Sequence, residues 1–298
     1  MAETVSNSTV FEAQSEDSLS ARKGMPGKAI FDVGMHQGED TEFYLRRGFA
    51  VLGVEANPFL VAALKKKFRP YLESGQLRIV DKAINSKPGK ARFSINTENS
   101  VWGTLSDAFA DRNSRGGFAS EEIEVDCITF DELLQKYGVP YYLKIDIEGC
   151  DILCVQALRG VSTRPKYISI ESSATSPGCG FRDVLAELAL LRELGYSHFK
   201  YVDQAQIPGS ERRLVREGPA VTYKFPPDSS GPFGNETPGK WLGFGTAGAY
   251  GLALRTVDDF CGHSGRFYGR TAVWRLRALR ERLTGRPDHW YDLHAKLE

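Results

Sequence analysis

The run Asp32-Val33-Gly34-Met35-His36-Gln37-Gly38 stands between an apolar, strand-like segment and a helix-like one. Glycines at such a junction let the backbone turn tightly and approach a ligand, and the helix start offers unpaired N–H groups. Glu55 closes the next apolar run, Ala50 to Ala56. An acid at that point can accept both hydroxyls of a ribose. The pattern Asp-x-Gly-x-x-x-Gly differs from the dinucleotide fingerprint, because a carboxylate opens the loop. That charge suits a cation and repels a pyrophosphate. It disfavours a nicotinamide cofactor and favours S-adenosylmethionine, whose amino-acid end bears an ammonium beside a sulfonium. The bland alternative is an ordinary strand–turn–helix junction.

A second cluster is Lys144-Ile145-Asp146-Ile147-Glu148-Gly149. Strand period two puts Ile145 and Ile147 on one face and Lys144, Asp146 and Glu148 on the other. Three ionisable residues on a buried strand are expensive unless they pair or work. A satisfied Lys–Asp–Glu network is one reading; a site at the carboxyl end of a strand is the other. Glu171, ending the run YISIE, is a rim acid of the same kind, with structural and functional use equally open.

The elements that must position these residues alternate. Strands are expected at Lys28–Gly34, Ala50–Ala56, Gln76–Ile84, Lys90–Ile95, Tyr141–Ile147 and Lys166–Glu171. Helices are expected at Glu39–Arg47, from Pro58 to Leu72, at Asp131–Tyr137, around Asp151–Leu158 and at Val184–Leu194. This is the pattern of an α/β chain with a doubly wound, mostly parallel, Rossmann-like sheet, ligands lying at the carboxyl rim. Residues 1–27, rich in Ser, Glu and Thr, read as a flexible tail. Residues 28–206 read as the cofactor-binding domain. Residues 207–298 read as a Gly/Pro/aromatic-rich extension or lid packed on that domain. Within it, Arg270–Leu283 reads as a helix, and the His289-Trp290-Tyr291-Asp292-His294 tail as the C-terminus docking onto the domain.

The 298 residues carry 38 basic and 38 acidic side chains, so no global charge draws the chain to nucleic acid or an anionic membrane. Five scattered cysteines argue for free thiols in a reducing compartment. With no apolar stretch long enough to span a bilayer and no secretory start, a cytoplasmic protein is expected.

The order DVGMHQGEDTEFYL, VLGVEANP, IVDKAI, VDCITFDELL, LKIDIEGCDILCVQAL and YISIES resembles the FkbM family of S-adenosylmethionine-dependent methyltransferases over roughly Ala29 to Ser172. KIDIEG-x-D before a Leu-rich helix is its most specific part. The resemblance implies a class I methyltransferase fold and O-methylation of sugars, glycolipids, polyketides and related natural products. It implies that Asp32, Gly34 and Gly38 hold the methionine end of the cofactor. Glu55 takes the ribose hydroxyls, Asn57 stands in the following turn, and Asp81 lies where such folds contact adenine. Asp146 and Glu148 face the methyl group and the acceptor. One departure is Met35-His36, where many members have Ala-Asn.

An alcohol needs a base to take its proton as the new bond forms. Asp146 is the first candidate, Glu148 the second and His36 a distant third. An Mg²⁺ held by Asp146 and Glu171 stays open, but two oxygen ligands are too few to assign a metal. Selectivity for a small-molecule or glycan acceptor is expected from Ser100–Gly117, with Trp102, and from the stretch after Gln206. The alternative from another class is an inactive cofactor-binding or interaction protein of the same fold. The sequence does not fix the acceptor or the oligomeric state.

Overall fold

The computed structural model describes residues 28–96, 104, 120–147, 149–261, 282 and 289–298. The expectations for the 1–27 tail, for Trp102 and most of Ser100–Gly117, for Glu148 and for nearly all of the 270–283 helix lie outside these residues.

The chain runs β1 (Ala29–Val33), α1 (Glu39–Arg46), β2 (Ala50–Val54), α2 (Pro58–Lys67), α3 (Arg69–Glu73), β3 (Leu77–Val80), β4 (Ala83–Ile84), β5 (Gly89–Asn96) and β6 (Ser120–Ile128). There follow α4 (Phe130–Tyr137), β7 (Tyr142–Ile145), α5 (Asp151–Ala157), β8 (Tyr167–Glu171), α6 (Phe181–Glu193) and β9 (His198–Asp203). The remainder holds β10 (Glu211–Leu214), β11 (Val221–Lys224), β12 (Leu242–Gly243), α7 (Phe244–Cys261) and β13 (Tyr291–Lys296).

The main sheet has the order β12-β9-β13-β8-β7-β1-β2-β3. The pairs from β3 to β8 are parallel, and β13 lies antiparallel between β8 and β9. The mostly parallel α/β sheet expected from the alternation is therefore present, with strand order reversing beside β1. Five-residue strands such as Ala29–Val33 are buried throughout because both faces are covered.

One face packs Phe31, Val33, Leu143, Ile145 and Ile168 against α4, α5, α6 and α7. The other packs Ile30, Val51, Tyr142 and Tyr167 against α1, α2 and the segment after β9. That segment, residues 207–241, lies over β7 and β8 as a strap. Phe233 is its anchor: its ring stacks on Tyr142 with centroids 4.4 Å apart and meets Tyr44, Phe49, Tyr141 and Tyr167 edge-on. Glu217 accepts the Tyr141 and Tyr167 hydroxyls at 2.9 Å each, and buried Arg47 pairs with Glu236 at 3.1 Å. Aromatic burial and paired charge thus order a stretch that has little regular structure.

Several boundaries differ from the sequence expectation. The helix from Pro58 to Leu72 is two helices broken at Phe68, since Pro70 lacks the N–H that would continue the first helix and sits instead in the first turn of the second. The strand Gln76–Ile84 divides after Val80, and Ala83–Ile84 leaves the main sheet to pair with β6. The Gly-rich stretch ending at 251 contains the start of α7, an 18-residue helix. Its Gly251 serves close packing: a Cβ there would stand 2.2 Å from the Tyr201 hydroxyl and 2.9 Å from Val184. The C-terminal tail docks as a full strand in the sheet.

Candidate active site

The turn after β1 is fastened to the end of β2. The N–H groups of Gly34 and Met35 both donate to the Val54 carbonyl at 3.0 Å. The Glu55 carboxylate accepts the His36 N–H on Oε2 and the Asn57 N–H on Oε1, each at 2.9 Å. Burial raises the Glu55 pKa, and these backbone donors oppose the rise. Each oxygen keeps acceptor capacity beyond its N–H partner.

Both glycines of the turn have left-handed backbone, φ 85° at Gly34 and 78° at Gly38. A Cβ at Gly34 would fall 1.8 Å from the Asp146 carbonyl oxygen, and one at Gly38 would fall 2.4 Å from the Phe68 ring. The sequence suggested glycine for close approach of a ligand. In the structure the close neighbour is the protein itself, so Gly34 presses the β1 turn against the end of β7. His36 also has positive φ, 49°. Its Nδ1 lies 3.0 Å from Glu39 Oε1. Burial lowers its pKa, but the Glu39 bond and the charges of Glu39, Glu55 and Asp228 raise it on balance.

Asn57 caps α2, accepting the Phe59 N–H at 3.0 Å with Pro58 in the first turn. Asp81 is exposed at the end of β3 and pairs with Lys65 at 3.1 Å, which lowers its pKa against the effect of partial burial. These two side chains are thus engaged by their own helix and by a surface lysine.

Register explains why Asp32 and Lys144 meet. They are partners across β1 and β7, and Lys144 continues to Ser169, His294 and Lys200 across β8, β13 and β9. This polar row is buried, each residue under 5% exposed. Lys144 Nζ lies 3.4 Å from Asp32 Oδ1 and 3.6 Å from both Asp40 Oδ2 and Asp146 Oδ2. Thr41 Oγ1 donates to Asp32 Oδ2 at 2.7 Å. Burial pushes the Asp32 carboxyl up to about 6, with the Lys144 charge restraining the rise. Asp146, by contrast, has a side chain about half exposed (48%) at the rim.

Three acids missing from the sequence assignment of the site join this cluster. Asp40, in the first turn of α1, accepts Ser229 Oγ at 2.5 Å, the Ser230 N–H at 3.0 Å and the Gly231 N–H at 3.2 Å, tying the strap to the site. Asp151 accepts the N–H groups of Ile147 at 2.9 Å and Glu171 at 3.3 Å, bracing both strand ends, and burial pushes it up to about 6. Asp292 faces Glu171 across β13 and β8. Burial, then the Asp146 charge, hold it well above the ordinary carboxylate range. The alternation Tyr-Asp-Leu-His-Ala-Lys was the available signal for Asp292: it is a period-two strand pattern. Asp151 stood in the KIDIEG-x-D motif. Nothing near Asp40 announced a contact with residues 229–231.

Among the described residues no His, Cys, Asp and Glu group of metal-holding geometry occurs, and no helix is long and apolar enough to cross a membrane. The described cysteines Cys127, Cys150, Cys154 and Cys179 are free thiols.

No curated protein matches the sequence. Solved structures similar to this chain include a methyltransferase FkbM from Methylobacillus flagellatus KT, 14% identical over 67% of this chain and 44% of that one, with TM-score 0.37. A precorrin-6y C5,15-methyltransferase from Geobacter metallireducens GS-15 is 9% identical over 70% of this chain and 79% of that one, with TM-score 0.34. A Haemonchus contortus phosphoethanolamine N-methyltransferase 2 in complex with S-adenosyl-L-methionine is 8% identical over 94% of this chain and 50% of that one, with TM-score 0.34. The chain thus spans less than half the length of the FkbM structure. The Methyltransferase FkbM domain matches residues 32–197, more than half of the sequence, and the chain belongs to that methyltransferase family.

Proposed function

We propose that the protein is an S-adenosylmethionine-dependent O-methyltransferase acting on a hydroxyl of a saccharide or natural-product acceptor. The observation that carries this reading is the convergence of Asp32, Glu55 and Asp146 around one glycine turn, each on the end of a different parallel strand.

The donor chemistry fits the cofactor. Asp32 offers a buried carboxylate to a cationic amino-acid end, and Glu55 offers two oxygens to a diol. The backbone of Gly34 and Gly38 shapes the turn between them. Asn57 and Asp81 act further out, fixing α2 and the end of β3. When bound, the cofactor supplies a methyl carbon on a positively charged sulfur. Asp146 takes the proton of the acceptor hydroxyl on its rim-facing carboxylate, a role that asks for hydrogen-bond reach and an ionised oxygen. Glu148 and His36 are the second and third candidates. The strap, held by Asp40 and Phe233, shields one side from water and contributes to the choice of acceptor. No step here is assigned to Mg²⁺.

Calorimetric titration with S-adenosylhomocysteine tests the reading. Binding weakens at least about tenfold in Asp32→Ala and Glu55→Ala, the loss of one or more charge-assisted contacts. Undisturbed binding in both variants overturns the assignment. A mass screen of hydroxylated metabolites for gain of one methyl group identifies the acceptor. Asp146→Asn then lowers its turnover far more than cofactor affinity, and unchanged turnover removes Asp146 from the role of base.

A further inference from the structure

Lys144 is the cation at the centre of the site, and its neighbours come from separate elements. Asp32 lies on β1, Asp40 opens α1 and Asp146 follows β7, all within 3.6 Å of the Lys144 ammonium. The Lys144 side chain is 5% exposed, so water does little to replace any of these contacts. Asp40 has a second set of partners, the Ser229, Ser230 and Gly231 donors of the strap. The wider surroundings are Tyr142 on β7, Tyr44 on α1, Asp151 on α5 and Asp292 on β13. Several acidic groups from separate elements thus crowd around one ammonium.

We propose that Lys144 is a positioning residue: its ammonium fixes the Asp32 and Asp146 carboxylates side by side at the strand ends and, through Asp40, couples the strap to them. The consequence for cofactor binding rests on the function proposed above; the electrostatic arrangement does not. With Lys144 in place, three carboxylates coexist within one small volume because each interacts with the same positive charge. Without it they repel one another, and protons must replace the missing cation. A lysine that merely filled space would leave the ionisation of its neighbours alone.

The experiment compares the full chain with Lys144→Met, Lys144→Arg and Asp40→Asn in two readouts. The first needs no ligand: thermal stability measured from about pH 5 to about pH 8. The Met variant's loss relative to the natural chain grows as pH rises, to about twice its acid value or more, because its carboxylates must give up protons with no cation nearby. Lys144→Arg keeps the charge and restores most of the profile. Asp40→Asn removes one repelling charge and makes the profile flatter toward high pH. The second readout is S-adenosylhomocysteine affinity, which in Lys144→Met falls about tenfold or more at neutral pH and recovers in Lys144→Arg.

Losses independent of pH in Lys144→Met, together with an unmoved profile in Asp40→Asn, overturn the proposal. If Lys144→Met does not fold, Asp40→Asn and Lys144→Arg carry the same decision. Absence of S-adenosylhomocysteine binding in the natural chain, with the pH profiles shifting as stated, refutes the cofactor reading and leaves the positioning role standing.

Discussion

Replacing Gly34 with alanine separates two costs that glycines usually combine. The left-handed backbone at φ 85° costs a residue with a Cβ about 1–2 kcal/mol. The second cost comes from the neighbour: the new carbon would sit 1.8 Å from the Asp146 carbonyl oxygen and must retreat to at least 3.0 Å. That retreat pulls against the Asp146 N–H, which donates to the Val33 carbonyl at 2.8 Å. Overpacking of this kind costs about 1–3 kcal/mol, and a weakened backbone hydrogen bond adds about 1 kcal/mol. Gly75 is the matched control: its φ is 73°, and a Cβ added there would meet nothing within 4 Å.

Denaturant unfolding of the two alanine variants should therefore differ by about 2–4 kcal/mol, Gly34→Ala being the weaker, a large share of the roughly 5–15 kcal/mol that holds a domain together. Gly34→Ala also displaces Asp146 and weakens binding of S-adenosylhomocysteine, whereas Gly75→Ala leaves it unchanged. Equal losses of stability in the two variants refute the claim that Gly34 exists to bring β1 and β7 into contact.

Other outcomes follow from buried charge. Burial pushes Glu187 from 4.5 up to about 7 while it accepts the Ser173 N–H at 2.7 Å. The folded state thus holds a proton that the unfolded chain releases, so this contribution is complete below about pH 4.5 and disappears as pH rises through about 7, on the order of 3 kcal/mol. Glu187→Gln keeps the acceptor and removes that slope, so it should exceed the natural chain in stability at alkaline pH by chemical denaturation; parallel pH profiles contradict this. Arg47→Met leaves the buried carboxylate of Glu236, within the strap, without its ion pair and should cost about 3–5 kcal/mol. Partial proteolysis in residues 207–241 should accelerate in parallel, and a resistant strap counts against the anchoring described here.

Much of the site was legible because it obeys local rules. Asp32 and Glu55 stand at the ends of apolar runs of five or so residues, and the strand–helix alternation places such ends on one rim. Lys144 and Asp146 stood out because charge inside an apolar run demands a partner. The partner Asp40 did not, because its contacts with Ser229 to Gly231 join positions about 190 apart in sequence and depend on how the strap folds. Helix α7 was hidden by its own glycines, which lower helix propensity, although one of them, Gly251, permits close contact with Tyr201 and Val184. Strand β13 was hidden by its isolation: its six residues do alternate, but nothing local tells that they fill the slot between β8 and β9, whose partners lie far back in the sequence.

A crystal structure with S-adenosylhomocysteine tests the central claim most directly. The account predicts ribose hydroxyls on the Glu55 carboxylate and the amino-acid end of the nucleoside beside Asp32, with Asp146 facing the sulfur. A nucleoside bound away from this turn, with Glu55 still engaged by the His36 and Asn57 N–H groups and by no part of the ligand, contradicts it.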